Sequence, residues 1–266
     1  MSTSGLTLAH VTTDDGADIA YRIRRGHDPI VLIHGLGCDA SMWDLVVAAL
    51  PSDVGLVIPE LRGHGGSTLG WKAPSVDQWA DDVLLLLRRK EIEDPAIAAL
   101  SLGGYTALAM EAASPGYARA FAFISTTARP DDDAGRGRRA EGIAKIRREG
   151  WRRYAADVIP SLLNPAGPQF ETHRKHLTTM FEHAGDSGLP PTLMALASRP
   201  DRRALLQDIV VPSIVIVGSA DVVTPPDRAE EIASLVSDAQ LHVLDGVAHM
   251  SAMEAPVAVA DLLGML

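Results

Sequence analysis

Cysteine is the scarcest residue type in this sequence, with Cys38 alone among 266 residues. A single thiol excludes an internal disulfide and a thiolate metal cluster. Long apolar runs are missing too, because runs such as Leu45–Leu50 and Val83–Leu87 are far shorter than the roughly 20 residues that cross a bilayer. We therefore expect no membrane partner.

A basic excess is also lacking. The net charge is −10, from 24 Lys and Arg against 34 Asp and Glu, whereas a general nucleic-acid binder needs a basic face. The opening MSTSGLTLAH has neither the basic start nor the apolar core of a signal peptide. A chain of this length buries roughly 70–75% of its unfolded surface, so a core forms without covalent staples. These features predict a soluble, cytoplasmic globular protein.

Short apolar runs alternate with helical stretches along the chain, which indicates an α/β fold with a mostly parallel central sheet flanked by helices. The runs PIVLIH and PSIVIVG are almost continuously apolar, as strands covered on both faces are. The predicted strands are Ile19–Arg24, Ile30–His34, Gly55–Pro59, Ala96–Leu100, Phe121–Ser125, Ser213–Val217 and Leu241–Leu244. The predicted helices are Val76–Lys90, Leu102–Ala113, Asp227–Val236 and Pro256–Leu263.

The alternation stops between Arg129 and Arg203, where only helical patterns occur. Prolines divide these patterns, at positions 160, 165, 168, 190, 191 and 200. The pattern predicts a helical insertion, residues 129–203, laid over the sheet. Residues 1–128 and 204–266 then form one core domain.

The segment AIAALSLGG places Ser101 between a predicted strand and a predicted helix. A serine at such a turn has its hydroxyl exposed by a strained backbone, and the residues two away on each side must be small. Ala99 and Gly103 meet that requirement. The helix N-terminus also favours developing negative charge. Many ordinary turns contain serine, so this pattern alone leaves the function open.

Two further polar residues follow predicted strands. Asp221 lies in GSADVVTPP and His249 in LDGVAHM. Polar side chains at the carboxyl ends of parallel strands gather at one edge of the sheet, where α/β proteins keep their sites. Alone, Asp221 is better explained as a turn or cap residue, and His249 as an ordinary loop residue. Together with Ser101 they follow the chain order Ser, Asp, His.

With that order, the sequence resembles the α/β-hydrolase superfamily over essentially its whole length. The turn HGLG at His34–Gly37, the segment RGHGGS at Arg62–Ser67, and the run Gly246–Pro256 with Glu254 add to the resemblance. The resemblance implies an α/β-hydrolase fold in which the insertion is a cap, or lid. Arg62, Gly63 and His64 are interpreted as a structural turn, with Glu60 where aspartate is commoner.

The resemblance implies acyl transfer with Ser101 as nucleophile, His249 as general base and Asp221 as its orienting carboxylate. The backbone N–H groups of Leu36 and Leu102 would form the oxyanion hole. We add three residues as candidates for the substrate pocket: Gly35, Trp151 and Met250. All reacting groups are protein groups, so neither a cofactor nor a metal is implied, and no HExxH or GxxxxGK[ST] motif occurs.

Residues 129–153 carry nine Lys or Arg against five Asp or Glu. This segment would attract an anionic substrate, or it is simply a solvated helix face. His173, His176 and His183 have a spacing that suits a metal, yet no further ligand completes a set, so a solvated helix face is preferred. Cys38 either borders the pocket or is a small buried thiol.

Within the superfamily, the sequence looks most like small bacterial esterases and enol-lactonases of the 3-oxoadipate type. The expected activity is hydrolysis of a carboxylic ester or lactone of a small to medium acyl substrate. Hydrolysis of a thioester, amide or carbon–carbon bond stays open, as does a signalling or receptor role with slow turnover. The partner is expected to be a small molecule, and the chain a monomer or homodimer.

Overall fold

The computed structural model describes residues 5–266, and an eight-stranded sheet runs through it. The strand order is β1-β2-β4-β3-β5-β6-β7-β8. Only β2 pairs antiparallel, with β1 and with β4, and the other five pairings are parallel, so the predicted α/β fold with a mostly parallel sheet is confirmed. The strands are β1 Thr7–Thr12, β2 Asp18–Arg24, β3 His27–Ile33, β4 Val54–Pro59, β5 Ala96–Leu100, β6 Ala120–Ile124, β7 Ser213–Gly218 and β8 Ala239–Leu244.

Helices cover both faces of this sheet. The helices are α1 Asp44–Ala49, α2 Val76–Arg89, α3 Leu102–Ala113, α4 Asp133–Glu149, α5 Trp151–Leu162, α6 Phe170–Ala197, α7 Pro226–Leu235, α8 Ser251–Glu254 and α9 Pro256–Leu263. Short 3-10 helices occur at Ala40–Trp43 and Ala204–Asp208. The four predicted helices agree with the structure to within one residue at each end, while β1, α1, α8 and both 3-10 helices were not predicted.

Alternation along the central strands divides the apolar core in two. In β3, Ile30 and Leu32 face one cluster, with α1, α9 and the insertion helices. Val31 and Ile33 face the other cluster, with α2, α3 and α7. Strands β5, β6 and β7 are buried along their whole length, because both of their faces are covered.

The insertion forms α4, α5 and α6 between β6 and β7, as the helical patterns predict. Its prolines divide it only in part. Pro160 lies inside α5, and Pro190 and Pro191 lie inside α6. The break in α6 is at Gly185, where φ is +53° and ψ is −158°. Glycine tolerates that conformation, so the kink falls there rather than at the prolines.

The parallel strands bring four loops to one edge of the sheet. The loops after β3, β5, β7 and β8 carry Leu36, Ser101, Asp221 and His249 respectively. Carboxyl ends of parallel strands meet at the same edge, which explains why residues distant in sequence assemble there. No helix in residues 5–266 is long and apolar enough to span a membrane.

Candidate active site

Ser101 occupies the turn between β5 and α3 with a strained backbone. Its φ is +54° and its ψ is −110°, a region that residues other than glycine rarely adopt. The end of β6 fixes this turn: the N–H of Ser101 donates to the Ile124 carbonyl at 2.9 Å, and the Thr126 hydroxyl donates to the Ser101 carbonyl at 2.8 Å. The strain is therefore maintained by contacts on both peptide groups of the serine.

The small neighbours of Ser101 are required by packing. A Cβ added to Gly103 would overlap the carbonyl oxygen of Ile33, so only glycine lets α3 lie this close to β3. Ala99 is fully buried, between β3 and β6. Gly35 also lies against the turn, since a Cβ there would be 3.6 Å from the Cβ of Ser101. These contacts bring the turn after β3 next to the serine.

Asp221 lies in a turn that its own carboxylate closes. Its Oδ1 accepts the N–H groups of Val223 and Thr224, each at 2.9 Å. Its Oδ2 accepts the Thr224 hydroxyl, also at 2.9 Å. Burial alone would raise the pKa of Asp221, but the donors of His249 and Thr224 outweigh it, so the pKa lies below its ordinary value. The carboxylate is held ionised and in a fixed orientation.

His249 donates from Nδ1 to Oδ2 of Asp221 at 2.9 Å. A carboxylate only accepts hydrogen bonds, so Nδ1 carries the proton and Nε2 is left as an acceptor. The ring is buried and borders the same cavity as Ser101. Residues 5–266 show no direct hydrogen bond between the Ser101 hydroxyl and this ring. Such bonds are often long in a free enzyme and tighten when substrate binds.

Two residues that border this cavity have backbone N–H groups without an acceptor in the described part of the chain. The turn at His34–Gly37 supplies Leu36, and the first residue of α3 supplies Leu102; both border the cavity. Neither N–H has an acceptor in the described part of the chain. At Leu102 this follows from helix geometry, because the first N–H groups of a helix have no acceptor within the helix. The oxyanion role of this pair stays a prediction.

The cavity has a volume of about 620 Å³ and takes half of its lining, 14 of 28 residues, from the insertion. Of the three predicted pocket residues, Gly35 and Met250 border it. Trp151 does not. Its side chain is buried in the apolar cluster on that side of the sheet, with the Arg152 guanidinium 4.6 Å from the ring centre. The predicted place of Trp151 in the pocket is therefore corrected, because its side chain packs in the apolar cluster and does not border the cavity.

A buried cluster of Arg62, Asp15 and Asp82 holds the segment RGHGGS in place. Arg62 is fully buried and contacts both Asp82, at 2.8 Å, and Asp15, at 2.5 Å. Hydrogen bonds to this guanidinium hold the pKa of Asp15 well below its ordinary range, against the opposing effect of burial. Glu60 accepts the N–H of Gly66 at 2.6 Å. These contacts are consistent with the structural role predicted for this turn.

His34 ties that segment to the turn after β3. Its Nδ1 donates to the Gly35 carbonyl at 2.8 Å, and its Nε2 accepts the N–H of Leu61 at 2.9 Å. Burial lowers its pKa, which keeps the ring neutral and able to both donate and accept. His64 lies against it, with ring centres 5.1 Å apart, and burial lowers the pKa of His64 to about 3.

Glu254 anchors the loop that carries His249. Its Oε2 accepts the N–H of Ala248 at 2.7 Å, and its Oε1 accepts the N–H of Asn164 at 2.6 Å. Burial raises the pKa of this carboxyl, although both amides oppose the effect. Asn164 belongs to the insertion, so one carboxylate joins the insertion to the residue before His249. The sequence pattern includes Glu254 without indicating this role.

The preferred interpretation, a solvated helix face, holds for only part of the histidine set in α6, because His183 is exposed, His176 is partly buried and His173 is buried. His173 is buried, His176 lies 2.9 Å from the Ser41 hydroxyl, and His183 lies 2.7 Å from Asp39. The 3-10 helix after β3 thus lies against α6, which the histidine spacing alone does not reveal. Within residues 5–266, no group of three or more His, Cys, Asp or Glu side chains is arranged to hold a metal ion.

Cys38 borders the cavity and is buried. Its Sγ lies 3.6 Å from the carbonyl of Leu36. Burial raises the pKa of the thiol far above its ordinary value, so it is a weak nucleophile. Cys38 therefore fits both sequence interpretations, because it borders the pocket and is also a small buried thiol.

A serine on a strand-to-helix turn, with an Asp–His pair from later strands at the same sheet edge, is the arrangement of an α/β hydrolase. A profile of the alpha/beta hydrolase family matches residues 30–262, and the chain belongs to that family. The 3-oxoadipate enol-lactonase 1 of Acinetobacter baylyi is 31% identical over 263 residues, covering 92% of this chain and 91% of the relative.

Solved structures agree with this assignment. An esterase from Thermogutta terrifontis, described as malate bound, has a TM-score of 0.90 at 26% identity and covers 97% of both chains. The enol-lactonase from Burkholderia xenovorans LB400 has a TM-score of 0.87 at 27% identity and covers 97% of this chain and 98% of its own. Both of these structures are named as an esterase or a lactonase, and both have this fold.

Proposed function

We propose that this protein is a serine hydrolase that cleaves a carboxylic ester or a lactone of a small to medium acyl substrate. The observation that carries the proposal is the Asp221–His249 pair, which borders the same cavity as the strained Ser101. A cavity of about 620 Å³ suits such a substrate. The ester- and lactone-hydrolysing relatives support the same reaction class.

Ser101 acts as the nucleophile in the first half of the reaction. Its Oγ attacks the acyl carbon while Nε2 of His249 takes the hydroxyl proton. Asp221 holds the ring in the correct tautomer and stabilises its charged form. The carbon–oxygen bond to the leaving group then breaks, and His249 gives the proton to the departing oxygen. An open ester releases its alcohol here, whereas a lactone keeps the new hydroxyl on the acyl chain.

The N–H groups of Leu36 and Leu102 stabilise the oxyanion of the tetrahedral intermediate. They are unpaired in the free protein, so no existing hydrogen bond has to break before they bind the oxyanion. Donors of this kind contribute about 3–4 kcal/mol each to the transition state. The dipole of α3 adds to the same effect, because its N-terminus points at the turn.

Water completes the cycle. The water oxygen attacks the acyl carbon while His249 removes a proton from the water. His249 then gives this proton to Oγ of Ser101 as the acyl–serine bond breaks. An open ester gives a carboxylic acid and an alcohol, whereas a lactone gives a single hydroxy acid. Every group returns to its starting protonation state.

The insertion and the surroundings of the protein belong to the same proposal. We propose that residues 129–203 act as a cap over a core of residues 1–128 and 204–266, supported by their share of the cavity wall. A cytoplasmic location and a monomeric or homodimeric state stay predictions. Light scattering coupled to gel filtration checks the oligomeric state, and cell fractionation checks the location.

Steady-state hydrolysis of p-nitrophenyl acetate, butyrate and octanoate tests the proposal, with Ser101→Ala in parallel. We expect turnover by the native protein that the variant lacks, and the chain-length profile then measures the pocket. Thr127→Ala, at a cavity residue outside the proposed triad, shows whether loss is specific to Ser101. A folded native protein that turns over neither these esters nor simple lactones contradicts the proposal, and thioesters, amides or a receptor role then deserve the next test.

A further inference from the structure

Positive charge is concentrated on the wall of the cavity. Five arginines border it against two ionisable carboxylates, Asp131 and Asp132. The arginines are Arg129, Arg138, Arg139, Arg199 and Arg228. The whole protein has a net charge of −10, so the cavity wall has the opposite sign to the molecule that surrounds it.

Some of this charge is neutralised within the fold. Asp131 contacts both Arg199, at 2.7 Å, and Arg139, at 3.1 Å, so one carboxylate serves two guanidinium groups. Glu231, outside the cavity, accepts two hydrogen bonds from Arg129, each at 2.8 Å. Asp132 caps α4 by accepting the N–H of Gly135 at 2.6 Å. These pairs leave a positive surplus on the wall.

Arg138 supplies the clearest part of that surplus. It is an exposed residue of α4, on the insertion side of the cavity. No carboxylate in residues 5–266 pairs with it. Arg228, in α7, has only an exposed partner, Asp227, at 3.5 Å. Two guanidinium groups from separate elements are thus open to a further anion.

We propose that the cavity takes an ester or lactone that also carries an ionised oxyanion group, a carboxylate or a phosphate, and that Arg138 binds this group with Arg228 assisting. The inference rests on the proposed hydrolase function. A guanidinium presents donors in a planar fork that matches two oxygens of either anion. A positive wall in a cleft also concentrates anions around it.

Paired substrates measure the preference for charge. Monomethyl adipate and methyl hexanoate share one carbon skeleton and differ by the remote carboxylate. Acetoxybutyl phosphate and acetoxybutanol form the corresponding pair for phosphate. We expect kcat/KM of the native protein to favour the charged member of at least one pair by about tenfold or more, as charge-assisted hydrogen bonds imply. The pair with the larger ratio identifies the anion.

Arg138→Gln and Arg147→Gln separate a local contact from a general charge effect. Both residues are exposed in α4, and neither is ion-paired in the described part of the chain. Only Arg138 borders the cavity. We expect Arg138→Gln to lower the ratio of charged to neutral kcat/KM about tenfold, through KM, and Arg147→Gln to leave the ratio within twofold. Salt should reduce the native preference.

Calorimetric binding of adipate and hexanoate gives a readout that needs no turnover. Native protein should bind adipate more tightly, and Arg138→Gln should remove the difference. An equal affinity for both acids together with equal kcat/KM for both members of each pair overturns the inference and leaves the hydrolase proposal intact. Preferences that are the same in both variants also overturn it. Tighter binding of adipate with no hydrolysis of any ester supports the anion site and counts against the hydrolase proposal instead.

Discussion

The Nδ1 of His249 lies 2.9 Å from the Oδ2 of Asp221, although 28 residues separate them in the chain. Thr224 contacts both groups, because its hydroxyl donates to the same Oδ2 at 2.9 Å and lies 3.2 Å from Nδ1 of His249. The carboxylate therefore has no freedom to turn away from the ring. This contact fixes the orientation of the His249 ring, which borders the cavity.

Asp221→Asn should lower kcat for p-nitrophenyl butyrate by roughly 10⁴-fold while leaving the fold intact. An amide NH₂ facing Nδ1 forces the proton onto Nε2, and the ring then has no acceptor for the Ser101 proton. Steady-state kinetics give kcat, and circular dichroism verifies the fold. Asp261→Asn, at an exposed position of α9, makes the same change of charge elsewhere and should leave kcat unchanged. A kcat for Asp221→Asn within tenfold of native would show that this pair does not act in the reaction.

The packing of α3 against β3 gives a second prediction. Gly103→Ala should destabilise the protein by roughly 1–3 kcal/mol, because its Cβ would overlap the Ile33 carbonyl and push the Ser101 turn away. Gly137→Ala is the matched control. It also lies in a helix, α4, where an added Cβ meets nothing within 4 Å, and it should stabilise by about 0.5–1 kcal/mol. Urea unfolding of both variants decides the matter; equal effects would contradict the packing argument.

The parallel strands, and with them the residues that follow each strand, could be predicted from the sequence because these strands are buried on both faces. Strands such as β5 and β7 are buried on both faces, and continuous burial leaves an unbroken apolar run in the sequence. Strand β1, Thr7–Thr12, was not predicted because it lies at the edge of the sheet with most of its side chains exposed. Its composition therefore carries little of that signal.

Contacts between distant segments could not be predicted in the same way. The spacing of His176 and His183 is visible in the sequence, but their partners Ser41 and Asp39 are more than a hundred residues away. Asn164 and Glu254 are likewise distant, 90 residues apart in the chain. Such pairs depend on how the insertion lies on the core, and local patterns contain no information on that placement. The open arginine on the cavity wall, Arg138, became identifiable only once its lack of a partner was known.

The buried pair of Asp15 and Arg62 predicts a pH-dependent stability. The pKa of Asp15 is lower in the folded chain than in the unfolded chain, because of its hydrogen bond to Arg62. Its contribution is complete above the unfolded pKa of about 3.9 and is lost as the pH falls below that value toward the folded pKa. Asp15→Asn should therefore cost about 3 kcal/mol near neutral pH, and less as the solution becomes more acidic.

Urea unfolding across the acid range measures this dependence. Asp14→Asn changes the neighbouring carboxylate, which is exposed, and should give a constant, small difference from native at every pH. A cost for Asp15→Asn that does not shrink below about pH 4 would show that the ion pair is not its origin.

The bridge made by Glu254 gives the last prediction. Glu254→Gln should lower kcat about tenfold, because the amide NH₂ would face either the N–H of Ala248 or that of Asn164, and an unpaired buried N–H costs about 1–3 kcal/mol. A misplaced Ala248 moves His249, so kcat should fall more than KM rises. Glu230→Gln, at an exposed position of α7, is the control and should match native in both constants. A purely structural Glu254 would instead lower the midpoint of thermal unfolding and leave kcat per folded molecule unchanged, since properly folded chains would keep the histidine in place.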